Sequence, residues 1–403
     1  MASYAQRSVC ADSTKIDRKV SYADNDEFFP DGENGRNEAS EDDFVELKNP
    51  NIGKMEQDIL YHLALGSGSH DLEDMFGDVK FVVMGGTPRR MEEFAYFIMN
   101  ELDIKLPTGT TLSDISRYSY RYSMYKIGPI ISVSHGMGQP SISILLHELI
   151  KMMYHSRVRD PVFIRLGTCG GIGVEGGTVV VTEEAVDGCL NPKHTLTILG
   201  KKVSRPAVLD LTLVSDLVNC SSPGDPWKTV CGKTMCTDDF YEDSKISKQR
   251  LSRHFSVRIL TKFSSSGQAR LDGAFCEYTE AQKMDFLKYI HGQGVINIEM
   301  ESLVFASLCH CAGIRAAVIC VALLNRLNGD QVSSSKEVLK EWQQRPQILL
   351  SRYIKQKLGL ATAAERPPLV SSPSINSMSR MLQKSLRSKS KLNMVNQESQ
   401  SFE

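Results

Sequence analysis

Three glycine-rich stretches and a small set of arginines are the residues whose types and spacing suggest chemistry. Gly85-Gly86, Gly136-Met137-Gly138 and Gly167-Thr168-Cys169-Gly170-Gly171-Ile172-Gly173 each follow an apolar run. Turns of this kind let backbone N–H groups approach an anion. None ends in the Gly-Lys-Ser/Thr of a nucleotide-phosphate loop, and none has the spacing of a dinucleotide fingerprint. Taken singly, each reads as a tight strand-to-helix turn. The arginines change that balance. Arg90 lies a few residues past Gly86, Arg121 sits in Tyr118-Ser119-Tyr120-Arg121-Tyr122, and Arg165 ends an apolar strand just before Gly167-Thr168. A guanidinium at the end of a buried strand is costly unless it is paired or holds an anion. For any single arginine a structural salt bridge explains it equally well. As a set, beside glycine turns and a threonine hydroxyl, they suit a phosphate dianion.

Other candidates carry less. Glu299 and Glu301 could be read as a glycosidase-like carboxylate pair, but at a helix start, two residues apart, they need not face the same way. His135 and His147 read as structural. Cys309 and Cys311 flank His310 in a segment that looks helical. The spacing is wrong for zinc, so buried core thiols are the better reading and no metal site is expected.

These residues need elements to hold them. Val79–Met84 is a β-branched run, followed by Met91, Phe94, Ala95, Ile98, Met99 and Leu102 at helical spacing. Ile130–Ser134 reads as a strand and Ser141–Tyr154 as a helix. Val162–Leu166 and Val179–Val181 read as strands, and Pro206–Val218 and Glu280–His291 as helices. Val295–Ile298 is a strand, Glu301–Cys311 a helix, Ala316–Leu324 a strand, and Ser335–Leu358 a helix interrupted near Pro346. Strands apolar on both faces, alternating with helices, predict one α/β domain over residues 48–360, with a central mixed sheet flanked by helices on both faces.

The flanks differ in character. Residues 1–47 are acidic and polar, and residues 361–403 are rich in Ser, Lys, Arg and Gln. Both are expected to be disordered. Met378, Met381 and Leu382 could form a short partner-binding helix, though a solvated tail is the simpler reading. Asp243–Ser266 is a basic, serine-rich segment that interrupts the domain. With 41% hydrophobic residues there is ample core, and a net charge of −1 offers no basic surface for nucleic acid. Residues 1–18 hold no apolar leader, and the longest apolar run, Ala316–Leu324, is too short to cross a bilayer. Ten scattered cysteines fit reduced thiols, so a cytoplasmic protein is expected.

Ser134-His135-Gly136-Met137-Gly138-Gln139-Pro140-Ser141-Ile142-Ser143-Ile144-Leu145-Leu146-His147-Glu148-Leu149 resembles the signature of the purine and uridine phosphorylases. Arg165–Thr168 with Gly170–Gly173 resembles their phosphate segment, and Asn297–Ser302 their ribose segment. Phe81–Arg90, Met235–Glu242 and Leu323–Arg326 are similar to the animal uridine phosphorylases in particular. The likeness runs from Asn49 to about Leu360, leaving out Asp243–Ser266.

The resemblance implies roles. Gly86, Arg90, Arg121, Arg165 and Thr168 match phosphate-binding positions. Glu301 matches a carboxylate that accepts hydrogen bonds from ribose hydroxyls, and Met300 the apolar wall beneath the sugar. Phe240 matches an aromatic near the base, Gln268 and Arg270 the pair that reads the uracil edge, and Arg326 a residue that helps hold that edge. His62 matches a ribose-contacting histidine from a neighbouring subunit, which implies at least a homodimer with shared sites. The implied reaction is the reversible cleavage of uridine by inorganic phosphate, with Arg165, Gln268, Arg270 and Glu301 central to it. Such cleavage passes through an oxocarbenium-like sugar, so it needs an anion at the anomeric carbon and a means to hold charge on the departing base. Phosphate is a co-substrate; no metal or organic cofactor is implied.

The chain departs from the family at several points. Cys169 stands where serine is usual, Ala269 replaces a glycine between Gln268 and Arg270, and Tyr118-Ser119-Tyr120 replaces Gly-Thr-Asp before Arg121. Ala269 is expected to be tolerated. The insertion Asp243–Ser266 stands directly before the Gln268–Arg270 segment. It could bulge into solvent, since added loop length costs little. It could displace the base-reading residues, or it could be retained sequence foreign to the family. Alternatives to an active uridine phosphorylase are a relative acting on deoxyuridine, thymidine or purine nucleosides, and a folded but inactive paralogue or isoform that binds nucleoside or pairs with an active partner.

Overall fold

A computed structural model of the chain describes residues 44–45, 47–242 and 267–360. The acidic stretch up to residue 43, the insertion at residues 243–266 and the tail from residue 361 lie outside the described residues, as do the expectations placed on them. Phe44 pairs with Arg159, and the Val45 N–H donates to the Val158 carbonyl with its side chain in the core.

A hairpin of β1 (Ile59–Leu60) and β2 (Leu65–Gly66) precedes the short helix α1 (Leu72–Phe76). Then come β3 (Phe81–Gly85), α2 (Pro88–Glu101), β4 (Met124–Ile127), β5 (Ile130–Ser134), α3 (Gly138–His155), β6 (Val162–Gly171) and β7 (Val179–Val186). A second hairpin, β8 (Lys193–Ile198) and β9 (Lys201–Pro206), leads to α4 (Leu211–Asn219) and β10 (Thr229–Cys236). Beyond the insertion follow α5 (Glu280–Gly292), β11 (Val295–Glu299), α6 (Ser302–Cys311), β12 (Arg315–Asn325) and α7 (Lys336–Lys357).

The main sheet has 8 strands in the order β11-β10-β7-β12-β6-β3-β5-β4. It is mixed, as expected: β12 runs parallel to β6 and antiparallel to β7, and β4 runs antiparallel to β5. Its strands bury alternate residues on opposite faces, which explains their uninterrupted apolar character. Val82 and Met84 of β3 pack with α1, α3 and α6, whereas Phe81 and Val83 pack with α2, α4 and α7. The far end of β6 turns away from this stack, and Gly170 and Gly171 pair antiparallel with Ile298 and Asn297 of β11. The sheet thereby curls back on itself at its glycine-bearing end.

Several boundaries differ from the sequence reading. The stretch read as a glycine turn after Leu166 is the second half of β6. The helix read from Pro206 starts at Leu211, where the Asp210 carboxylate accepts the N–H groups of Thr212 and Leu213. The hairpin at Lys193–Pro206 was not legible because most of its side chains are exposed, so it shows no apolar alternation. Helix α7 runs unbroken through Pro346, held by Leu349, Leu350, Tyr353 and Ile354 packed on the sheet. Cys309 of α6 lies in the core, as read. Among the described residues no helix is long and apolar enough to cross a membrane.

Helix α3 anchors the first hairpin along one outer face. Lys151 Nζ donates to Asp58 Oδ1 at 2.7 Å and His155 Nε2 lies 2.9 Å from Asp58 Oδ2. Burial would raise the Asp58 carboxyl, but the bonds from Lys151 and His155 outweigh it and hold it below its ordinary 3.8. The stability Asp58 adds is therefore complete above that ordinary value and is lost as pH falls through the lower folded one. Asp58→Asn is expected to lower the unfolding free energy by about 1–3 kcal/mol at neutral pH. Urea titrations should show the difference from the parent chain narrowing as pH approaches 3; a gap independent of pH would contradict this assignment.

Candidate functional site

The site grows from one buried cation. Arg165, in the middle of β6, is 3% exposed and lies against Gly167, where a Cβ would stand 2.5 Å from the Arg165 guanidinium. Glycine is required there to clear the arginine. Nη1 lies 3.0 Å from Glu299 Oε2 and 3.3 Å from Cys320 Sγ, and Nη2 donates to Glu301 Oε2. Glu299 and Glu301 thus converge on one guanidinium, contrary to the expectation from their spacing, because Glu301 turns the chain from β11 into α6. Each carboxylate also holds a helix start. Glu301 Oε1 accepts the Gly138 N–H of α3 at 2.6 Å, and Glu299 accepts the N–H groups of Glu301 and Ser302 at 2.9 and 3.0 Å. Burial depresses Arg165, but Glu299 and Glu301 more than reverse this and raise its pKa. Burial, with the Glu301 charge, pushes Glu299 up against the pull of Arg165. Glu301, despite its burial, is held low by Arg165 and the Gly138 N–H. Neither carboxylate is free to act as a glycosidase acid.

Beside this ion cluster sit buried nitrogens without partners. Arg165 Nε and both ring nitrogens of His135 are buried without a hydrogen-bond partner among the described residues. Burial, with the charges of Arg165 and Arg90, drives the His135 ring down to a pKa of about 3, so it stays neutral. Arg90, at the start of α2, is depressed by burial and by Arg165, and no hydrogen bond to its guanidinium is found among the described residues. Arg90, Gly167 and Thr168 line a small cavity with Gln343 and Gln347 of α7. Gly86 lies at its approach, 3.8 Å from Arg90 Nη1 by its missing Cβ. Buried polar nitrogens left unsatisfied call for a ligand, and the guanidinium N–H groups of Arg165 and Arg90, with the single N–H of neutral His135, suit an oxyanion. His135 reads as structural from the sequence; Gly136 and Gly138 after it are the one hint there of a place in the site. His147 is exposed on α3. The Cys169 thiol bonds to Cys320 within the core, so the serine-to-cysteine change is absorbed there.

The second half of the site hangs on the glycine end of β6. Arg326 is fully buried, its stem packed so close to Gly170 that a Cβ would stand 2.9 Å from Arg326 Cγ. It donates to Asp330 at 3.0 Å, to the Gln268 carbonyl at 2.7 Å and to Gln268 Oε1 at 3.3 Å. Asp330 also takes Lys283 Nζ at 2.8 Å and the Leu271 N–H at 3.1 Å. With Oε1 held by Arg326, the Gln268 amide is oriented to present its NH2 as a donor. Arg270 grips Asp272 with two bonds, 2.8 and 2.6 Å, and its guanidinium lies 4.6 Å over the Phe240 ring. Met300 reaches towards the start of α3, 4.0 Å from where a Gly138 Cβ would stand.

The two ends of the insertion are closed on each other. Asp239 pairs with Gly267, the Gln268 N–H donates to the Asp239 carbonyl at 3.2 Å, and the Arg270 N–H to the Tyr241 carbonyl at 2.9 Å. Tyr278 Oη donates to the Arg270 carbonyl at 2.6 Å. Gln268 and Arg270 are therefore held by bonds to residues that precede the insertion. Ala269 between them is buried with φ 53°, a left-handed conformation that favours glycine. An alanine side chain in this conformation carries a cost in strain.

Two assigned residues stand apart from the buried cluster. His62 packs on α3, 2.7 Å from Glu148 Oε1. Arg121 is exposed, after Tyr120 at φ 57°, and its charge acts on Tyr122, whose hydroxyl donates to the Ser141 carbonyl of α3. His62 and Tyr122 are neighbours, with ring centroids 6.3 Å apart. His62 thus lies beside α3 and near Tyr122, which follows Arg121 in the chain; Tyr61, Tyr118, Tyr120, Met137 and Ile144 are exposed.

Residues 80–355 match the Phosphorylase superfamily, and the chain belongs to it, on its uridine phosphorylase branch. Mouse uridine phosphorylase 1 is 48% identical over 79% of this chain and 95% of its own length. A solved uridine phosphorylase from the oomycete Phytophthora capsici superposes with a TM-score of 0.70 at 39% identity, covering 79% of this chain and 99% of the other. The Schistosoma mansoni enzyme, solved in complex with thymidine, gives 0.69 at 33% identity over 78% and 99%. The fold and family expected from the sequence are thereby established.

Relieving the backbone strain at position 269 is expected to stabilise the chain. Ala269→Gly should gain about 1 kcal/mol, the left-handed penalty less the entropy glycine adds to the unfolded state. A lower urea midpoint in the variant would show that the alanine side chain contributes packing that outweighs the strain.

Proposed function

We propose that this chain is an active uridine phosphorylase, converting uridine and inorganic phosphate reversibly to uracil and ribose 1-phosphate, within pyrimidine nucleoside salvage and degradation. Phosphate binds at Gly86, Arg90, Arg165 and Thr168. Glu301 takes the ribose hydroxyls above Met300. Phe240, Gln268 and Arg270 receive the uracil, with Arg326 holding Gln268 in place. As the glycosidic bond breaks, the phosphate oxygen closes on the anomeric carbon while Gln268 and Arg270 bind the uracil carbonyls and stabilise the negative charge collecting on the base. The phosphate is both nucleophile and counter-charge to the oxocarbenium-like sugar. No metal or organic cofactor enters the reaction.

The observation that carries this reading is the continuity of β6. One strand holds unsatisfied anion-binding donors near Arg165 and, at its glycine end, the Arg326 network that orients Gln268. The paired ends of the insertion favour activity over the inactive alternative. A homodimer completes the site. His62 and Arg121 stand apart from the buried cluster of their own chain, and a second copy bringing them to it supplies the ribose histidine and a further phosphate arginine.

Uracil release from uridine is expected to require phosphate, both in the full chain and in one lacking residues 243–266; equal release without phosphate would refute phosphorolysis. Arg165→Ala should abolish turnover but also strands two buried carboxylates, so Arg90→Ala is the cleaner probe. That variant should raise the phosphate KM by about tenfold or more, the worth of a charge-assisted hydrogen bond. An unchanged phosphate KM would remove Arg90 from the site. Activity confined to the shortened chain would show that the insertion blocks the base pocket.

A further inference from the structure

His135 carries two buried ring nitrogens that the fold leaves unmet. It stands just past the end of β5, 1% exposed, and neither nitrogen has a hydrogen-bond partner among the described residues. Its backbone is held on both sides. The N–H donates to the Gly85 carbonyl at 2.7 Å, and the carbonyl accepts the Ser141 hydroxyl at 2.6 Å. The ring is thus kept where the charges of Arg165, Glu301 and Arg90 reach it, and burial keeps it neutral. A neutral imidazole has one N–H and one lone pair, so its two nitrogens need opposite partners. The N–H by itself suits any oxyanion. The lone pair is the more selective group, because only a ligand that brings a hydrogen can meet it.

Hydrogenphosphate and sulfate are both tetrahedral dianions at neutral pH, but only the first carries a hydrogen. That P–OH needs an acceptor in a site built from donors. Arg90 and Arg165 can only donate. The Glu299 and Glu301 carboxylates already accept from Arg165 and from backbone N–H groups. The Thr168 hydroxyl could accept, but it would then give up donating to a charged oxygen. The Gly136 carbonyl is close enough to draw the His135 N–H, short of hydrogen-bond geometry, and a ring turned that way points its lone pair elsewhere. We propose that His135 accepts the P–OH of hydrogenphosphate and thereby selects phosphate over sulfate. This rests on the reading that Arg90, Arg165 and Thr168 hold the phosphate. Bound sulfate would set an oxygen lone pair against that of the ring, and a buried acceptor would stay unmet.

The measurement is a ratio in uracil release by the full chain: the sulfate inhibition constant, competitive against phosphate, over the phosphate KM. The parent chain should hold it at about tenfold to a hundredfold, the cost of an unmet buried polar group beside a charge. Monofluorophosphate, a dianion with fluorine in place of the hydroxyl, should be rejected to a similar extent. His135→Leu should raise the phosphate KM by about fivefold or more without weakening sulfate, which brings the ratio below about three. A parent ratio near one would overturn the selection. A ratio that stays high in His135→Leu, with both anions weakened alike, would show that the ring only donates, and would overturn it too. An unchanged phosphate KM in that variant would place His135 outside the ion's reach. Should His135→Leu fail to fold, nitrogen-15 spectra of the parent chain decide. Saturating phosphate should shift the unprotonated ring nitrogen of His135 and sulfate should not; a ring unmoved by phosphate overturns the proposal. Uracil release that needs no phosphate is a different failure, which refutes phosphorolysis first and this selection with it.

Discussion

The Arg165 guanidinium, buried between Glu299 and Glu301, is the interaction on which the rest of the structure depends. Taking a cation out of water costs several kcal/mol, and only close partners with their own bonds satisfied offset it. Both carboxylates meet that condition by accepting backbone N–H groups at the starts of α3 and α6. One ion cluster thus joins β6, the end of β11 and two helix N-termini. Gly167 follows from it, since any side chain there would occupy the guanidinium's place. The neutrality of His135 comes first from its burial, and the charges of Arg165 and Arg90 reinforce it. Binding chemistry and folding are not separable at this position, because the groups that would receive an anion also close the ends of the elements that hold it.

A second buried arginine organises the other end of the site by the same logic. Arg326 spans Asp330 and Gln268, and its stem requires Gly170 as Arg165 requires Gly167. The glycines of this segment were read as a loop open to an anion. They are strand residues, kept small so that two arginine side chains can cross the sheet. The insertion emerges where this network is strongest. Its ends are paired through Asp239 with Gly267 and Tyr241 with Arg270, and a loop closed at its base adds only a slowly growing entropy cost.

What the sequence revealed follows from what each element exposes. Strands β3, β5, β6 and β12 bury both faces and read as unbroken apolar runs, while α2, α3 and α6 bury one stripe or all of their surface, so their existence was legible. The β8–β9 hairpin stands largely in solvent and left no pattern. Arg165, Glu301, Gln268 and Arg326 were singled out by arginine placement or by family likeness, and the fold brings them along one strand. Convergence of Glu299 and Glu301 was not legible, because spacing alone does not reveal the turn at Glu301. Nor was the exposure of His135 to the anion cluster, since its burial resembles that of any core histidine until its unpaired nitrogens are seen.

The charges of the buried cluster bear on why His62 and Arg121 lie elsewhere. Arg90 and Arg165 bring two positive charges, and the carboxylates of Glu301, held low, and Glu299, pushed up by its burial, stand against them. A phosphate dianion entering this cluster would meet little net positive charge from a single chain. On the proposed reading a third guanidinium is needed, and Arg121 cannot be placed beside the other two without adding like-charge repulsion to an already desolvated cluster. In the proposed homodimer Arg121, exposed in the single chain, would stay hydrated until a second copy docks, and the exposed Tyr61, Tyr120 and Met137 would offer apolar area for that docking. Assembly would then supply the charge that folding of one chain could not stably bury.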